Sequence, residues 1–200
     1  MAGVRIRSLV GAESQKYLSA VAALRIEVFR HYPYLYDGDL AYEANYLRVY
    51  AESARSVFVL AQDDDRIVGA ATGIPLQDDS AAFQQPFLRR GMDVSKVFYF
   101  GESVLLPSYR GQGIGHAFFD AREAHARSLG AFAWTAFAAV ERSPDDPRRP
   151  PLHRDNDAFW HKRGYQPHAD MRMQLAWKEL GEVQESEKAL RFWLRRLETH

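Results

Sequence analysis

A glycine-rich loop between a predicted strand and a predicted helix limits the fold of this chain more than any other feature. The strand is predicted over residues 95–106 and ends at Pro107, and the helix is predicted over residues 114–128. The connecting sequence RGQGIG holds three glycines, Gly111, Gly113 and Gly115. Glycine lets the backbone turn sharply and approach a ligand closely, and the first N–H groups of a helix favour an anion. With the positive charge of Arg110, the segment predicts a phosphate or pyrophosphate site.

Two familiar nucleotide-binding loops do not fit this spacing. A dinucleotide fingerprint that begins at Gly111 requires glycine at position 116, where the sequence has His116. A Walker loop requires lysine and then serine or threonine after its last glycine, but Gly115 is followed by His116 and Ala117. The other interpretation is a bare strand-to-helix turn, which needs fewer glycines than this loop contains.

Hydrophobic periodicity predicts strands and helices along the rest of the chain. The further predicted strands are residues 4–10, 56–62, 66–76, 131–140 and 170–177. The further predicted helices are residues 12–30, 40–54, 156–163 and 184–197. Three aspartates join strands 56–62 and 66–76 into a predicted hairpin, so the expected fold is α/β with a mixed sheet. We expect one domain over residues 1–200, with a core over 4–178 and an extra C-terminal helix over 184–197.

Composition argues against several classes of protein. Lys and Arg number 26, as do Asp and Glu, which argues against a nucleic-acid partner and a basic membrane-surface protein. The absence of cysteine excludes disulfides and cysteine nucleophiles, and His153 and His161 show no metal-ligand pattern, so we expect no metal. The N-terminus does not resemble a signal peptide, and no apolar run reaches the roughly 18–20 residues of a membrane span. We therefore expect a cytoplasmic protein without a membrane partner.

The glycine loop resembles the acyl-CoA pyrophosphate loop of the GNAT superfamily of N-acetyltransferases, whose pattern is Gln/Arg-x-x-Gly-x-Gly/Ala. Here the pattern reads Arg110-Gly-Gln-Gly113-Ile-Gly115. The close match covers residues 98–130, a weaker match covers residues 156–165, and the N-terminal elements fit in their order. The resemblance implies a mixed, mostly antiparallel central sheet flanked by helices, with acetyl-CoA as the co-substrate.

The same resemblance implies which residues hold acetyl-CoA. Backbone groups of the strand are expected to bond to the pantetheine arm at Ser103, Val104 and Leu105. The pyrophosphate is expected to lie against the loop and the first helical turn, at Arg110, Gly111, Gln112, Gly113, Ile114, Gly115 and His116. One strand N–H is also expected to polarise the thioester carbonyl.

Two positions depart from the family's pattern. The frequent tyrosine of the family, a general acid for the leaving thiolate, corresponds to Trp160, which cannot donate a proton to it. The family's asparagine seven residues earlier corresponds to His153, and Asn156 is a candidate cofactor-binding replacement three residues further on. Water or another side chain is then expected to protonate the thiolate, whose reference pKa is about 8.5.

The strand before the loop also contains a candidate general base. An alkyl amine with a pKa of about 10.4 must lose a proton before it attacks, which costs on the order of 4–5 kcal/mol at neutral pH. Glu102 is the candidate, because it lies beside the expected thioester and charged residues are rarely placed in such a strand without a partner. In the alternative interpretation, Glu102 pairs with a basic residue or faces solvent. Glu141 and Tyr99 are the other candidate bases.

Two surface segments are candidates for contacts with substrate. An aromatic and acidic cluster lies where the family's layout places the acceptor, and consists of Tyr32, Tyr34, Tyr36, Asp37, Asp39, Tyr42 and Glu43. These residues suit a cationic amine, and they equally suit a polar loop whose rings pack on the core. A second group, Arg148, Arg149 and Arg154, forms either a solvated loop face or a contact for the 3′-phosphate of CoA.

These observations lead us to expect an N-acetyltransferase that moves an acetyl group directly from acetyl-CoA to a primary amine. Direct transfer follows because no cysteine can carry the acetyl group. A small-molecule acceptor is favoured, since no charged tail or docking domain would attract a protein. The alternatives are a protein-amine acetyltransferase, a non-catalytic acyl-CoA sensor, and a protein whose loop binds ATP or NAD. Phe192 and Trp193 of the predicted C-terminal helix would cover the core or form a homodimer contact.

Overall fold

A ladder of seven strands, with an eighth strand beside it, forms the centre of the fold. The computed structural model describes residues 3–198. The strands are β1 (Arg5–Val10), β2 (Val57–Asp63), β3 (Arg66–Pro75), β4 (Val97–Tyr99), β5 (Ser103–Leu105), β6 (Trp134–Val140), β7 (Gln166–Trp177) and β8 (Ser186–Arg196). Their order in the sheet is β1-β2-β3-β4-β6-β8-β7, with β5 paired to β3. All neighbours are antiparallel except β4 and β6, which confirms the mixed, mostly antiparallel sheet of the expected fold class.

Five α-helices connect these strands. They are α1 (Leu18–Phe29), α2 (Leu40–Glu52), α3 (Ala81–Arg89), α4 (Ile114–Ser128) and α5 (Asp157–Lys162). The predicted helix over 12–30 begins as a 3-10 helix, Gly11–Tyr17, and becomes α-helical only at Leu18. Helix α4 has the predicted bounds, because Gly113 and Gly130 take positive φ angles of 80° and 66° at its two ends.

The predicted C-terminal helix over 184–197 is wrong, because this segment is strand β8. Residues 186–191 and 193–194 pair with β7 on one side, and residues 190–196 pair with β6 on the other. Phe192 and Trp193 are consecutive and both buried, so the strand is apolar on both faces over its centre. A strand buried on both faces loses the alternation that distinguishes it from a helix.

The strand predicted over 95–106 is interrupted. Residues 97–99 form β4 and residues 103–105 form β5, and Gly101 and Glu102 form a bulge opposite Thr72 of β3. In this bulge Gly101 N donates to Thr72 O (3.2 Å), and Thr72 N donates to Glu102 O (3.1 Å). A bulge bends its strand and re-aims side chains, and here it turns the strand away from β6.

The hydrophobic core runs along both faces of the sheet and includes the inward side of α4. Phe119 of α4 contacts Phe100 with ring centroids 5.7 Å apart, and Phe137 of β6 at 5.8 Å. These contacts fix α4, and therefore the loop that precedes it, against the interrupted strand. No helix within residues 3–198 is long and apolar enough to cross a membrane.

Candidate active site

The bulge opens a gap in the sheet between β5 and β6. Phe100 N donates to Ala136 O (2.8 Å), and this is the last backbone bond from the interrupted strand to β6 in the described part of the chain. Beyond it, β5 stays with β3 while β6 continues with β8 as far as Val140. The side of β5 that faces away from β3 is therefore left without a neighbouring strand.

The backbone groups of β5 alternate between β3 and this gap. Glu102 O and Leu106 N both bond to β3, so the alternation of an antiparallel ladder directs the backbone groups of Ser103 and Leu105 the other way. Val104 lies between them with its side chain fully buried in the core. An extended chain placed in the gap would meet the backbone donors and acceptors of Ser103 and Leu105, of which Leu105 O also accepts a long bond from Arg110 Nε (3.4 Å).

The glycine loop lies directly after β5 and is open to solvent. Gly111 and Gly113 have φ angles of 76° and 80°, and a Cβ at either position would have no heavy atom within 4 Å. Ala117 N is the first N–H to bond back within α4, to Gly113 O (3.1 Å), so the N–H groups before it have no partner within the helix. The loop therefore presents free donors around an uncrowded space, as the sequence predicts for an anion site.

Side chains of the loop leave that space clear. Arg110 and Gln112 are exposed, and their side chains bond back to Leu105 O (3.4 Å) and Ser108 O (3.2 Å). Ile114 is buried, and His116 packs on Phe159 of α5 with ring centroids 4.8 Å apart. A Cβ at Gly115 would make an ordinary van der Waals contact with Phe159, at 3.6 Å.

The candidate base Glu102 lies buried in the bulge and is paired with an arginine. Its Oε2 accepts from Arg25 Nη1 of α1 at 2.6 Å, so the alternative interpretation, a basic partner, describes part of its role. Its Oε1 is buried and has no hydrogen-bond partner among residues 3–198. Arg25 also pairs through Nε with Glu43 of α2, which is itself buried.

Burial and charge act on Glu102 in opposite directions. Burial raises the pKa of the Glu102 carboxyl, the Arg25 guanidinium lowers it, and the carboxylate of Glu43 raises it again. The net effect is a pKa above the ordinary value of a glutamate. A carboxyl of this kind titrates closer to neutral pH, as a general base requires.

Arg122 of α4 builds the bulge, and sequence reasoning missed it. Its guanidinium is buried and donates to Thr72 O (3.2 Å), Glu102 O (3.1 Å) and Ser103 Oγ (2.8 Å). It thereby adds a second donor to the two carbonyl oxygens that pair across the bulge, Thr72 O and Glu102 O. The only sequence signal was an arginine on the apolar side of a predicted helix, which is typical also of a long side chain that reaches solvent.

Gly101 of the bulge is tightly packed, whereas the glycines of the loop have open space around them. A Cβ at this position would lie 2.6 Å from Tyr50 Cζ and 2.7 Å from Thr72 Oγ1. Tyr50 Oη in turn donates to Asp79 (3.3 Å). Burial raises the pKa of Asp79 to about 6, against the opposing hydrogen bonds from Ser80 and Tyr50.

The other candidate bases are engaged elsewhere. Glu141 accepts two bonds from Arg172, which lower its pKa below the usual range. Tyr99 is buried, and burial raises its pKa well above that of a free tyrosine. Neither has the combination of an unpaired oxygen and a raised carboxyl pKa that Glu102 has.

The positions that depart from the family's pattern lie around α5. Trp160 packs on Phe137 and Trp193, with ring centroids 4.9 and 5.0 Å away. His153 packs edge-on against Tyr32 at 4.7 Å. Asn156 is exposed just before α5, and its side chain makes no capping bond there.

The aromatic and acidic cluster is divided between the core and the loops. Tyr36 lies beside Glu43, and burial followed by the charge of Glu43 raises the pKa of Tyr36. Asp37 pairs with Lys178 (2.9 Å), and Asp39 caps α2 by accepting from Tyr42 N (2.9 Å). Of the acidic residues in this cluster, Glu43 is linked to Glu102 because both pair with Arg25, while Asp37 and Asp39 stabilise the local fold.

Glu179 joins three segments on this side of the molecule. It is buried and pairs with Arg142 and with Arg148, the latter at 2.5 Å. Arg142 also donates to Pro33 O (2.6 Å), so the loops over 31–39 and 141–155 are tied to the turn between β7 and β8. Arg149 pairs with Asp155 at 2.8 Å. Arg148 and Arg149 are thus both held in ion pairs with acidic residues, and sequence reasoning missed Glu179 as the partner of Arg148.

No group of three or more His, Asp or Glu side chains in the described ranges is arranged to hold a metal ion.

Solved structures with the same fold include proteins described as acetyltransferases, and two of these contain acetyl-CoA. The yncA protein of Salmonella typhimurium, solved with its cofactor acetyl-CoA, has a TM-score of 0.59 and 12% identity, over 100% of this chain and 96% of that one. The ribosomal-protein-alanine N-acetyltransferase of Brucella melitensis has a TM-score of 0.61 and 14% identity, over 96% and 99%. A phosphinothricin acetyltransferase of Sinorhizobium meliloti, in complex with acetyl-CoA, has a TM-score of 0.60 and 15% identity, over 98% and 89%. No curated protein matches the chain in sequence.

The family is shown by the sequence itself. Residues 20–148 match the model of the acetyltransferase (GNAT) family, which is more than half of the chain. The chain therefore belongs to the GNAT family and is an acetyltransferase that uses acetyl-CoA. This confirms the family, the fold class, the enzyme class and the co-substrate that the glycine loop and its resemblance led us to expect.

Proposed function

We propose that this acetyltransferase moves the acetyl group of acetyl-CoA directly to the primary amine of a small molecule. The observation that carries the proposal is the gap beside β5, with an open glycine loop at one end and a buried carboxylate with a free oxygen at the other. The gap accepts an extended arm, the loop accepts an anion, and the carboxylate accepts a proton.

The cofactor is held mainly by backbone groups in this proposal. Ser103 and Leu105 bond to the pantetheine arm as an added strand would, while Val104 supports them from the core. The amides of residues 111–116 surround the pyrophosphate, and Arg110 is free to swing onto it because its side chain is exposed. Asn156 lies exposed before α5, whose Phe159 packs against the same helical turn.

Glu102 serves as the general base. Its Oε1 takes a proton from the acceptor's ammonium, and the neutral nitrogen attacks the thioester carbonyl. The C–N bond forms as the C–S bond breaks, the nitrogen loses a second proton to solvent to become the neutral amide, and the CoA thiolate leaves. Solvent protonates the thiolate, because Trp160 at the family's tyrosine position has no acidic proton.

A small acceptor fits the acceptor side better than a protein tail. Ion pairs through Glu179 fasten the loops over 31–39 and 141–155 to each other, which makes this wall rigid. The chain also has no net charge to attract a basic tail. A protein amine remains the second candidate, and acetylation of a lysine peptide faster than of small amines would favour it.

The cofactor site is tested by isothermal titration of acetyl-CoA into the wild type, Gly113→Val and Gly130→Val. Gly113 and Gly130 border the same helix with positive φ and open space, so valine strains the backbone equally at both. We expect micromolar binding by the wild type and Gly130→Val, and at least tenfold weaker binding by Gly113→Val. Equal loss in both variants, or none in either, contradicts the loop assignment.

The base is tested by Glu102→Gln, which keeps the shape of the side chain and removes its charge. We expect kcat with a primary amine to fall 10²- to 10⁴-fold, with the acetyl-CoA affinity unchanged. A wild type that binds acetyl-CoA but acetylates no amine would support the sensor interpretation instead. An ATP or NAD site is contradicted if neither nucleotide displaces acetyl-CoA.

A further inference from the structure

We infer that Arg25 and Glu43 are positioning residues for the transfer reaction. They hold Glu102 by one oxygen, leave its other oxygen free for the acceptor, and together set the pH at which Glu102 accepts a proton. The inference rests on the proposed role of Glu102 as the base.

The geometry divides the two oxygens of Glu102 between two tasks. Arg25 Nη1 binds Oε2 at 2.6 Å, and Oε1 is buried without a partner in residues 3–198. A buried carboxylate oxygen without a partner is costly unless a ligand completes it. An ammonium group supplies the missing donor, and it becomes the proton donor of the reaction.

Arg25 cannot turn away from Glu102, because its other side is also held. Its Nε binds Glu43, and its guanidinium lies over the rings of Tyr46 (4.5 Å) and Phe29 (5.0 Å). Helices α1 and α2 therefore fix the arginine from three directions. This restraint fixes Oε2, and with it the direction of Oε1.

The charges do not cancel. Arg25 is one cation between two carboxylates, so the group carries a net negative charge in a buried site. Arg25 favours the ionised form of Glu102, and Glu43 disfavours it while competing for the same guanidinium. The charged or titratable groups that bear on Glu102 are Arg25 from α1, Glu43, Tyr46 and Tyr50 from α2, Tyr34 from the loop between α1 and α2, and Arg122 from α4. Thr72 Oγ1 of β3 accepts a long bond from the backbone N of Glu102 (3.4 Å).

Removal of Arg25 and removal of Glu43 should therefore shift the pKa of Glu102 in opposite directions. Arg25→Met removes the cation, so Glu102 should ionise at higher pH than in the wild type. Glu43→Gln removes the competing anion, so Glu102 should ionise at lower pH. A purely structural ion pair would lower stability in both variants without this opposite pair of shifts.

The experiment follows the carboxyl carbons of ¹³C-labelled glutamate by NMR from pH 4 to 9, in the full chain without ligand. The Glu102 signal is identified by its absence in Glu102→Gln. Arg25→Lys keeps a charge and should leave the midpoint nearer to that of the wild type than Arg25→Met does. Arg195→Met is the control, because it breaks the ion pair with the buried Glu123 (3.0 Å) and should not move Glu102.

Opposite shifts of the Glu102 titration midpoint in Arg25→Met and Glu43→Gln support the inference. The acid limb of the pH profile of kcat/KM, measured with a primary alkylamine, should shift in the same directions in the same variants. Shifts in the same direction, or none, overturn it even if Glu102→Gln is inactive. If Glu102→Gln keeps its full rate, the base assignment fails, and the inference fails with it. Should Arg25→Met not fold, Arg25→Lys and Glu43→Gln still decide the question.

Discussion

The glycine loop and the bulge at Glu102 follow one another along the chain, yet they are built in different ways. The loop offers backbone N–H groups in open space, and a Cβ at Gly111 or Gly113 would touch nothing. The bulge is enclosed, and its conformation depends on Arg122, Arg25 and the tight packing of Gly101. A site made of local backbone can be recognised in a sequence, whereas a site made of converging buried side chains depends on the whole fold.

The largest expected effect compares the two arginines of these regions. Arg122→Met removes three hydrogen bonds that a buried guanidinium makes to the bulge, so we expect the free energy of unfolding to fall by about 4 kcal/mol. Arg110→Met, on the exposed loop, should change stability by less than about 0.5 kcal/mol while weakening acetyl-CoA binding. Urea unfolding of both variants measures the difference, and similar losses would remove the contrast between the regions.

The glycines give the next largest effect. In Gly101→Ala the new methyl group meets Tyr50 and Thr72 in the core, which should cost about 3 kcal/mol. In Gly111→Ala the methyl group meets nothing, and only the positive φ of 76° is strained, at about 1 kcal/mol. Denaturant midpoints of the two variants decide the order. A larger loss for Gly111→Ala would show that the loop is not open.

The smallest expected effect concerns Asp79 at the edge of the bulge region. Burial raises the pKa of Asp79 to about 6, so the folded state binds this proton more tightly than the unfolded chain does. Its contribution to stability is present below about pH 4 and is lost as the pH rises through about 6. Asp79→Asn should remove this loss. The free energy of unfolding of the variant, relative to that of the wild type, should therefore rise by about 2 kcal/mol between pH 4 and pH 7.

The control for Asp79 is Asp93, whose pKa is lowered by hydrogen bonds from Ser95. The sign is reversed there, because the ionised form is the one that the folded state favours. Relative to the wild type, Asp93→Asn should therefore lose stability as the pH rises towards about 4 and keep a constant loss above it, whereas the gain of Asp79→Asn grows between about pH 4 and 6. Thermal unfolding across this range measures both, and equal slopes would contradict the burial of Asp79.

Elements with strong local signals were predicted well. Helix α4 has the predicted bounds because glycine marks both of its ends, and β2 and β3 form the predicted hairpin. The segment over 184–197 was mistaken for a helix, because a strand buried on both faces shows no alternation. Local pattern does not contain the information that β6 and β7 flank this segment.

The candidate site shows the same contrast between residues with a local sequence signal and residues that are recognised only from their contacts in the fold. The sequence identified the glycine loop, the strand before it and Glu102, since each has a local signature in residue type and order. It did not identify Arg25 or Arg122 as partners of Glu102, which lie on distant helices and look like ordinary helical arginines. It included Glu43 in the acceptor cluster without its link to Glu102.

The sequence by itself determined the mixed α/β fold class and the family, and it predicted the glycine loop as the acetyl-CoA site, because glycine spacing and helix ends act over a few residues. The tertiary structure alone decided that Glu102 is buried, that one of its oxygens is paired and the other is free, and that two carboxylates share one arginine. The physical reason is that the ionisation of a group depends on every charge and surface packed around it. Those neighbours come from helices and strands far apart in the chain.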